Sequence, residues 1–373
     1  MNSSLILLSI TNFLLYASMY MLLPVLPVWM QQEWMCNYTE IGSAIALFGV
    51  GLFLPGMFNS YLIDRFKRKN ICSLSLLGLL ALTYLYPLSG SATVLSLLRL
   101  LQGMLFGTAT MTLGSTLVID VTPSHRRTKA NVMYAWVGRM GMISGVAAGV
   151  FLYTGGNICP VIYISMACGL IGWAVMEMVK VAFRAPLEPS LVSLDRFLLP
   201  RAFYPAAFML PVAALFGIFI ARICTASFYL FMAAGMGLAA WVVYSLLCKR
   251  TGRIVMELGI VSGVGGLLML MFSAGVATYA GAAVCLGLGI ALCGACFYDM
   301  LIRVPLHCER GTGNNTYQLF WELGVMAGIF IESVTDEGGT EIFAISLCLC
   351  ALVLSIYELS LHKWYDKQLK NNH

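Results

Sequence analysis

Charge is what this sequence has least of. Only 10% of its 373 residues are Asp, Glu, Lys or Arg, against roughly 25% in an ordinary soluble domain. So few charges could not cover the surface of a soluble globule this large. A soluble enzyme and a disordered chain are therefore excluded. Histidine is scarce too: the four present lie in loops or near the C-terminus. With no His inside an apolar run, and no acids paired at catalytic spacing, an intramembrane hydrolase or metal centre is not expected. No stretch is polar and long enough for an ATPase or a sensor output domain. Gly311-Thr312-Gly313 lacks the following Lys of a phosphate loop and follows no strand. No enzyme, metal or cofactor is expected.

What is present is apolar. Hydrophobic residues make up 60% of the chain, and the mean hydropathy is +0.86. That composition belongs to a polytopic membrane protein. The 36 glycines suit closely packed membrane helices. Most of the 12 Cys fall inside apolar runs, where thiols act as small hydrophobes. Cys36, Cys159 and Cys224 alone lie near one face, so a disulfide framework is not expected. Cys293 and Cys296 have metal-site spacing but sit mid-run without His or acid neighbours, so packing is the reading.

A spanning helix needs about 20 apolar residues. Twelve runs qualify, at about 5–30, 41–63, 70–89, 93–120, 130–153, 160–180, 203–221, 226–248, 254–274, 278–302, 313–334 and 341–361. The first has no basic n-region and is too long for a signal segment, so it reads as an uncleaved helix. With the N-terminus inside, segments 64–70, 121–129, 180–202, 249–253, 303–312 and 362–373 are cytoplasmic and hold 19 of the 22 Lys and Arg. The outer loops carry Glu33, Glu40, Asp336, Glu337 and Glu341 instead. This positive-inside pattern places both termini in the cytoplasm. It explains the net charge of +5 by orientation and lipid contact, not nucleic acid. The short loops fit a bacterial inner membrane, where the sequon Asn37-Tyr38-Thr39 has no use.

The chain repeats itself. At an offset of 183 residues, Arg127 falls on Arg310, Asn131 on Asn314, Tyr134 on Tyr317, Gly141 on Gly324 and Gly145 on Gly328. Both copies have the same orientation, so the repeat is parallel. The expected organisation is a six-helix bundle over 1–183, a cytoplasmic linker over 184–202, and a second bundle with a short tail over 203–373. The same offset sets Asp120 on Arg303 and Arg139 on Glu322. Such reversals could pair across the two halves, or be coincidence.

Several short motifs then carry a family resemblance. Ser60-Tyr61-Leu62-Ile63-Asp64-Arg65-Phe66-Lys67-Arg68-Lys69 resembles the loop after the second span of the major facilitator superfamily, with Ser60 and Lys67 in place of its two glycines. Arg99-Leu100-Leu101-Gln102-Gly103, followed by Gly107, resembles the R-x-x-q-G motif of its fourth span. Gly141, Gly145 and Gly149 resemble the glycine-rich fifth span of its antiporters, with Val146 where a proline is usual. His125-Arg126-Arg127-Thr128 resembles the basic turn before that span. Pro24 and Pro27 suit the end of the first span, and Lys249-Arg250-Thr251-Gly252-Arg253 is similar to a degenerate copy of the first loop. The resemblance implies an all-α fold of twelve helices in two six-helix bundles around a cavity, with alternating access. It implies that spans 1, 4, 7 and 10 line the cavity, that 2, 5, 8 and 11 meet across the halves, and that 3, 6, 9 and 12 face lipid. A monomer is the family expectation.

Each intramembrane charge costs at least about 2.5–3.5 kcal/mol on insertion scales, so each needs a reason. Glu322 lies near the middle of the eleventh span, with Asn315 and Gln318 at helical spacing and Trp321 beside it. It reads as a proton or substrate site, or as a permanent partner of Arg139. Arg139, at the same depth and one turn from Trp136, could hold an anionic or polyhydroxy substrate, or tune Glu322. Arg99 is linked by the resemblance to proton coupling; the competing reading is a buried Arg bonded to backbone carbonyls of the first span. Gln102 shares its face. Asn12, Tyr16 and Tyr20 form a stripe that can line a cavity or simply pack. By the same resemblance, Asp64, Arg65, Arg68, Asp120 and Arg127, with Asp299 and Arg303 on the other half, form a conformational latch. A solvated rim, and a helical Asp299–Arg303 pair, are the plainer alternatives. Gly103, Gly107, Gly141, Gly145 and Gly149 serve helix packing.

The leading functional reading is a secondary transporter: proton-coupled efflux of a small organic solute such as a drug, sugar or metabolite. A proton- or cation-coupled importer is the alternative. The sequence does not name the substrate.

Overall fold

The computed structural model describes residues 3–153, 155–181, 190–194, 196–246, 252–273, 275–306, 309–335 and 340–371. Linker residues 182–189 and 195, the loop Lys249-Arg250-Thr251, and Asp336 and Glu337 lie outside the described residues. Among the described residues the chain is helical, with no strand.

The first span is α1 (Ser3–Leu22) and α2 (Leu26–Trp34), broken at Pro24. The second is α3 (Tyr38–Phe53) and α4 (Gly56–Arg65), bent by 48° at Pro55, which lacks the N–H a straight helix needs. Then come α5 (Arg68–Tyr84), α6 (Ala92–Met111) continuing through a π-helical turn over Thr112–Leu117 into α7 (Val118–Val121), α8 (Arg127–Leu152) and α9 (Cys159–Glu177). The second half holds α10 (Phe203–Arg222), α11 (Ala226–Leu246), α12 (Gly252–Met271), α13 (Val276–Arg303), α14 (Arg310–Val334), α15 (Thr340–Ile356) and the terminal α16 (His362–Asn371). Among the described residues, nine helices are long and apolar enough to cross a membrane, ten if α3 and α4 count as one span. The 17-residue α5 and the more polar α14 fill the two remaining places of a twelve-helix fold. Asn37, of the discounted sequon, has a local structural use: its Oδ1 accepts from the Glu40 amide at 2.8 Å and caps α3.

Burial sorts the spans. The spans built on α1, α6 and α13 bury 72% of their apolar stretch, and that on α10 buries 67%. The spans of α9 and α12 bury 33%, and the last span 28%. Spans one, four, seven and ten are therefore central, and six, nine and twelve peripheral. Across the halves α3 packs on α14, and α8 on α11. The eighth span, α11, is as exposed as the peripheral ones, so it meets the other half along one face only.

Glycine sets how closely the helices approach. A Cβ at Gly141, Gly145 or Gly149 of α8 would strike the carbonyl oxygens of Phe13, Ala17 and Met21 on α1. In the second half, Gly324 and Gly328 of α14 meet Leu210 and Ala214 of α10 in the same way. The matched glycines of the repeat thus do one job twice. Gly103 and Gly107 meet Phe48 and Leu52 of α3. The glycine stripe of α8 is spent inside the first half, not between halves.

This contact yields a stability test. Gly145→Val forces α1 and α8 apart and should cost about 1–3 kcal/mol, read as a lower melting temperature of the purified protein. Gly237→Ala, in open space, should melt like the parent. Equal melting of Gly145→Val and the parent would show that the close approach is not required.

Candidate substrate and proton site

The central site lies where α1, α8, α13 and α14 converge. Asn12, Tyr16 and Tyr20 of α1 are all buried and face the interior as a stripe. Asn12 Nδ2 donates to the Tyr134 carbonyl at 3.0 Å, and the Tyr20 hydroxyl donates to Glu322 Oε2 at 2.9 Å. Glu322 is 1% exposed, and its other oxygen has no hydrogen-bond partner among the described residues.

Arg139 does not pair with Glu322. Its Nη2 donates to the Gly294 carbonyl at 3.0 Å and to the Tyr317 hydroxyl. Its Cζ lies 5.2–5.3 Å from the ring centres of Trp136, Tyr317 and Trp321. A small cavity of about 10 Å³, room for about one water, touches Asn12, Tyr16, Arg139, Tyr317, Gln318 and Trp321. The halves are thus closed on it. Towards the basic face, meaning the end that carries the basic loops, Arg310 Nη1 donates to Thr128 Oγ1 at 3.0 Å and the Tyr298 hydroxyl sits 2.9 Å from the Asn131 carbonyl. Towards the opposite face, Gly42 lies against Ser333 and Phe330.

Two expected cavity residues are placed elsewhere. Gln102 joins a buried network away from the cavity: its Nε2 donates to Thr83 Oγ1 at 2.9 Å, and its Oε1 accepts from Tyr86 and, at 3.3 Å, from Arg99. Asn315 turns to the linker, its Nδ2 donating to the Phe197 carbonyl at 2.8 Å. Its neighbour Asn314 shares the inward face with Gln318, both against Gly114 of the π-helical turn. Tyr134, Tyr298, Asn314 and Tyr317 are the site residues that sequence reasoning missed. Three of them were visible as repeat identities: Tyr134 with Tyr317, and Asn314 with Asn131.

Arg99 is 1% exposed. Besides Gln102, its guanidinium lies 4.5 Å from the Phe48 ring centre and 4.0 Å from Met326 Sδ of the other half. Among the described residues, no backbone carbonyl of the first span is its partner. Met326 is one turn from Glu322 on α14, so Arg99 points towards the carboxylate's side of the bundle.

The expected latch is only partly assembled. Arg68 bridges Asp120 at 2.5 Å and Asp64 at 3.4 Å. Arg196 of the linker adds a bond to Asp64 at 2.8 Å. Arg65 is exposed, and Arg127 donates to the Thr122 carbonyl at 3.4 Å; neither forms an ion pair among the described residues. Arg303 and Asp299 form an i, i+4 pair at 2.7 Å, near Tyr365 of α16. The linker itself crosses the basic face. Phe197 packs on Phe53 and against Gly56, Ser193 N donates to the Met57 carbonyl, and Leu199 N donates to Thr316 Oγ1 at 2.9 Å.

Known proteins agree with this architecture. The profile of the Major Facilitator Superfamily matches residues 8–329. Relatives named "Quinolone resistance protein NorA" from Staphylococcus aureus are 24–25% identical over 181 residues, 48% of this chain. The match spans about half the length of those relatives, 46%. The crystal structure of nucleoside transporter NupG superposes with a TM-score of 0.66 at 12% identity, covering 99% of this chain and 100% of that one. The human organic anion transporter MFSD10 (TETRAN) gives 0.68 at 12% identity over 95% and 98%. An auto-inhibited POT family peptide transporter gives 0.69 at 12% over 98% and 97%. At such identity these structures share the fold. The chain belongs to the Major Facilitator Superfamily and is a membrane transporter, not an enzyme.

Proposed function

We propose that the protein is a proton-coupled exporter of small organic solutes, with both termini in the cytoplasm. The observation that carries this reading is Glu322: a carboxylate buried in α14 of the second half, free of any ion pair among the described residues, and bound to Tyr20 of the first half. A buried carboxylate without a counter-ion is strongly disfavoured in its charged form. Gaining or losing a proton there changes the bond that spans the halves. Coupling needs such a link between protonation and rocking.

In the cycle we infer, solute enters from the basic face and the halves rock outward. A proton reaching Glu322 then favours return to the inward-facing state. Arg99 is the cation placed to follow the charge on Glu322, since Met326 sulfur is a weak acceptor that it can leave. Export is favoured over import by the half-length likeness to relatives named for quinolone resistance. An importer would instead carry a proton or another cation inward together with the solute. The direction of solute-induced proton movement in inverted vesicles decides between them.

Glu322→Gln in proteoliposomes should lower transport driven by a pH gradient by about tenfold or more. Solute exchange without a gradient should persist. Native gradient-driven rates in this variant would remove Glu322 from the coupling role. Gln102→Leu strips a buried partner from Arg99, Tyr86 and Thr83. It should lower stability by about 1–3 kcal/mol, read as a fall in melting temperature. An unchanged melting temperature would mean that Arg99 is held without it.

A further inference from the structure

We propose that Arg139 seats an acid group of the solute, and that the transported solutes are aromatic organic anions. This rests on the transporter reading and names its substrate class. Arg139 is 4% exposed and lines the central cavity. It makes no ion pair among the described residues. Its Nε is buried without a hydrogen-bond partner. Its contacts are one carbonyl, one hydroxyl and three rings. Three cation–π contacts at about 0.5–2 kcal/mol each offset part of the several kcal/mol that desolvating an ion costs, but none of these contacts supplies a negative charge. A full positive charge therefore stays uncompensated at the cavity wall.

The three simplest solute classes differ at that wall. A cationic solute is repelled by it. A neutral polyol accepts hydrogen bonds but leaves the charge unmatched. An anion supplies both acceptors and charge, and the planar guanidinium fork suits carboxylate geometry. Glu322 is not among the residues lining the cavity, so the acid group does not meet a second carboxylate there. The rest of the wall fits an aromatic body. Tyr317 and Trp321 stack with ring centres 5.9 Å apart, and the Tyr16 ring lines the same space. Asn12 Oδ1, Gln318 Oε1 and Trp321 Nε1 are buried without partners. They offer two acceptors and one donor to polar substituents on the ring. The cavity of about 10 Å³ is too small for such a molecule, so binding requires the halves to part first.

The test is equilibrium binding to the purified full-length protein in detergent, by calorimetry, with no gradient present. A panel of aromatic carboxylates is titrated, each beside its methyl ester and its amine counterpart; 3-phenylpropanoate, its ester and 3-phenylpropylamine make one set. The acids should bind about tenfold tighter than their esters or amines. Arg139→Gln should erase that preference. Arg139→Lys keeps the charge without the fork, so it should weaken the acids and leave the esters as they are. This second variant serves if Arg139→Gln does not fold. Acids that bind no better than esters, or an acid preference that is undiminished in the variants, would overturn the proposal. If the acids bind as expected but a pH gradient moves none of them, the proton-coupled reading fails and the acid seat stands.

Discussion

The structure turns on the cost of burying charge. Arg99, Arg139 and Glu322 are nearly inaccessible, and in a membrane interior none can rely on water. The obvious solution is to pair them, and the fold does not use it. Each instead touches a neutral group of the opposite half and keeps one buried polar atom without a partner among the described residues. Arg99 of the first half meets Met326, and Arg139 meets Gly294 and Tyr317; Glu322 of the second half meets Tyr20. Neutral partners hold less firmly than a buried ion pair, whose breaking costs about 3–5 kcal/mol. The halves are therefore joined by bonds strong enough to orient them and weak enough to exchange. Any rocking motion must change the partners of all three charges together.

Such rocking needs rigid bodies on either side of the seam. Glycine supplies them. The backbone contacts of α1 with α8, and of α10 with α14, leave no room for a side chain at matched positions of the repeat. Packing this close transmits motion and does not absorb it. Helix irregularities that could yield include the break at Pro24, the 48° bend at Pro55, Pro211 inside α10, and the π-helical turns over Thr112–Leu117 and Tyr357–Leu361. Inside the first of these turns Ser115 and Thr116 hydroxyls donate to carbonyls four residues back, a bond that bends helices. Gly114 of the same turn faces Asn314 and Gln318. The softest part of the fourth span thus lies against the most polar part of the eleventh.

The large-scale order was legible in the sequence because it rests on counting. Hydropathy gave the spans, basic loops gave their alternation, and the offset of 183 residues gave glycines that the two halves use alike. Single side chains were legible only where burial is costly. Glu322, Arg99 and Arg139 had to be interior, and Asn12, Tyr16 and Tyr20 had to share a face. Partners were not legible. Adjacent helical positions differ by about 100°, so periodicity alone did not separate Asn314, which faces inward, from Asn315, which faces the linker. A matched charge reversal suggested Arg139 with Glu322, yet equal depth on two helices does not bring two tips together. Gln102 looked like a cavity residue because nothing in the pattern showed Tyr86 and Thr83 waiting for it.

The linker shows why such gaps matter. By composition it was only a connector, but it seats Phe197 against α3 and α4 while Asn315 and Thr316 of α14 hold its backbone. Arg196 then joins the Asp64–Arg68–Asp120 cluster. The second and eleventh spans meet across the halves, so one short segment of chain grips both sides of the seam at the basic face. Among the described residues nothing of the kind grips the opposite face, where Gly42 simply lies against Ser333 and Phe330. Opening at the basic face must therefore break directed bonds as well as packing, whereas opening opposite separates apolar surface and a hydroxyl. The two faces of the seam are thus closed by different chemistry, and Arg99, Arg139 and Glu322 lie buried between them.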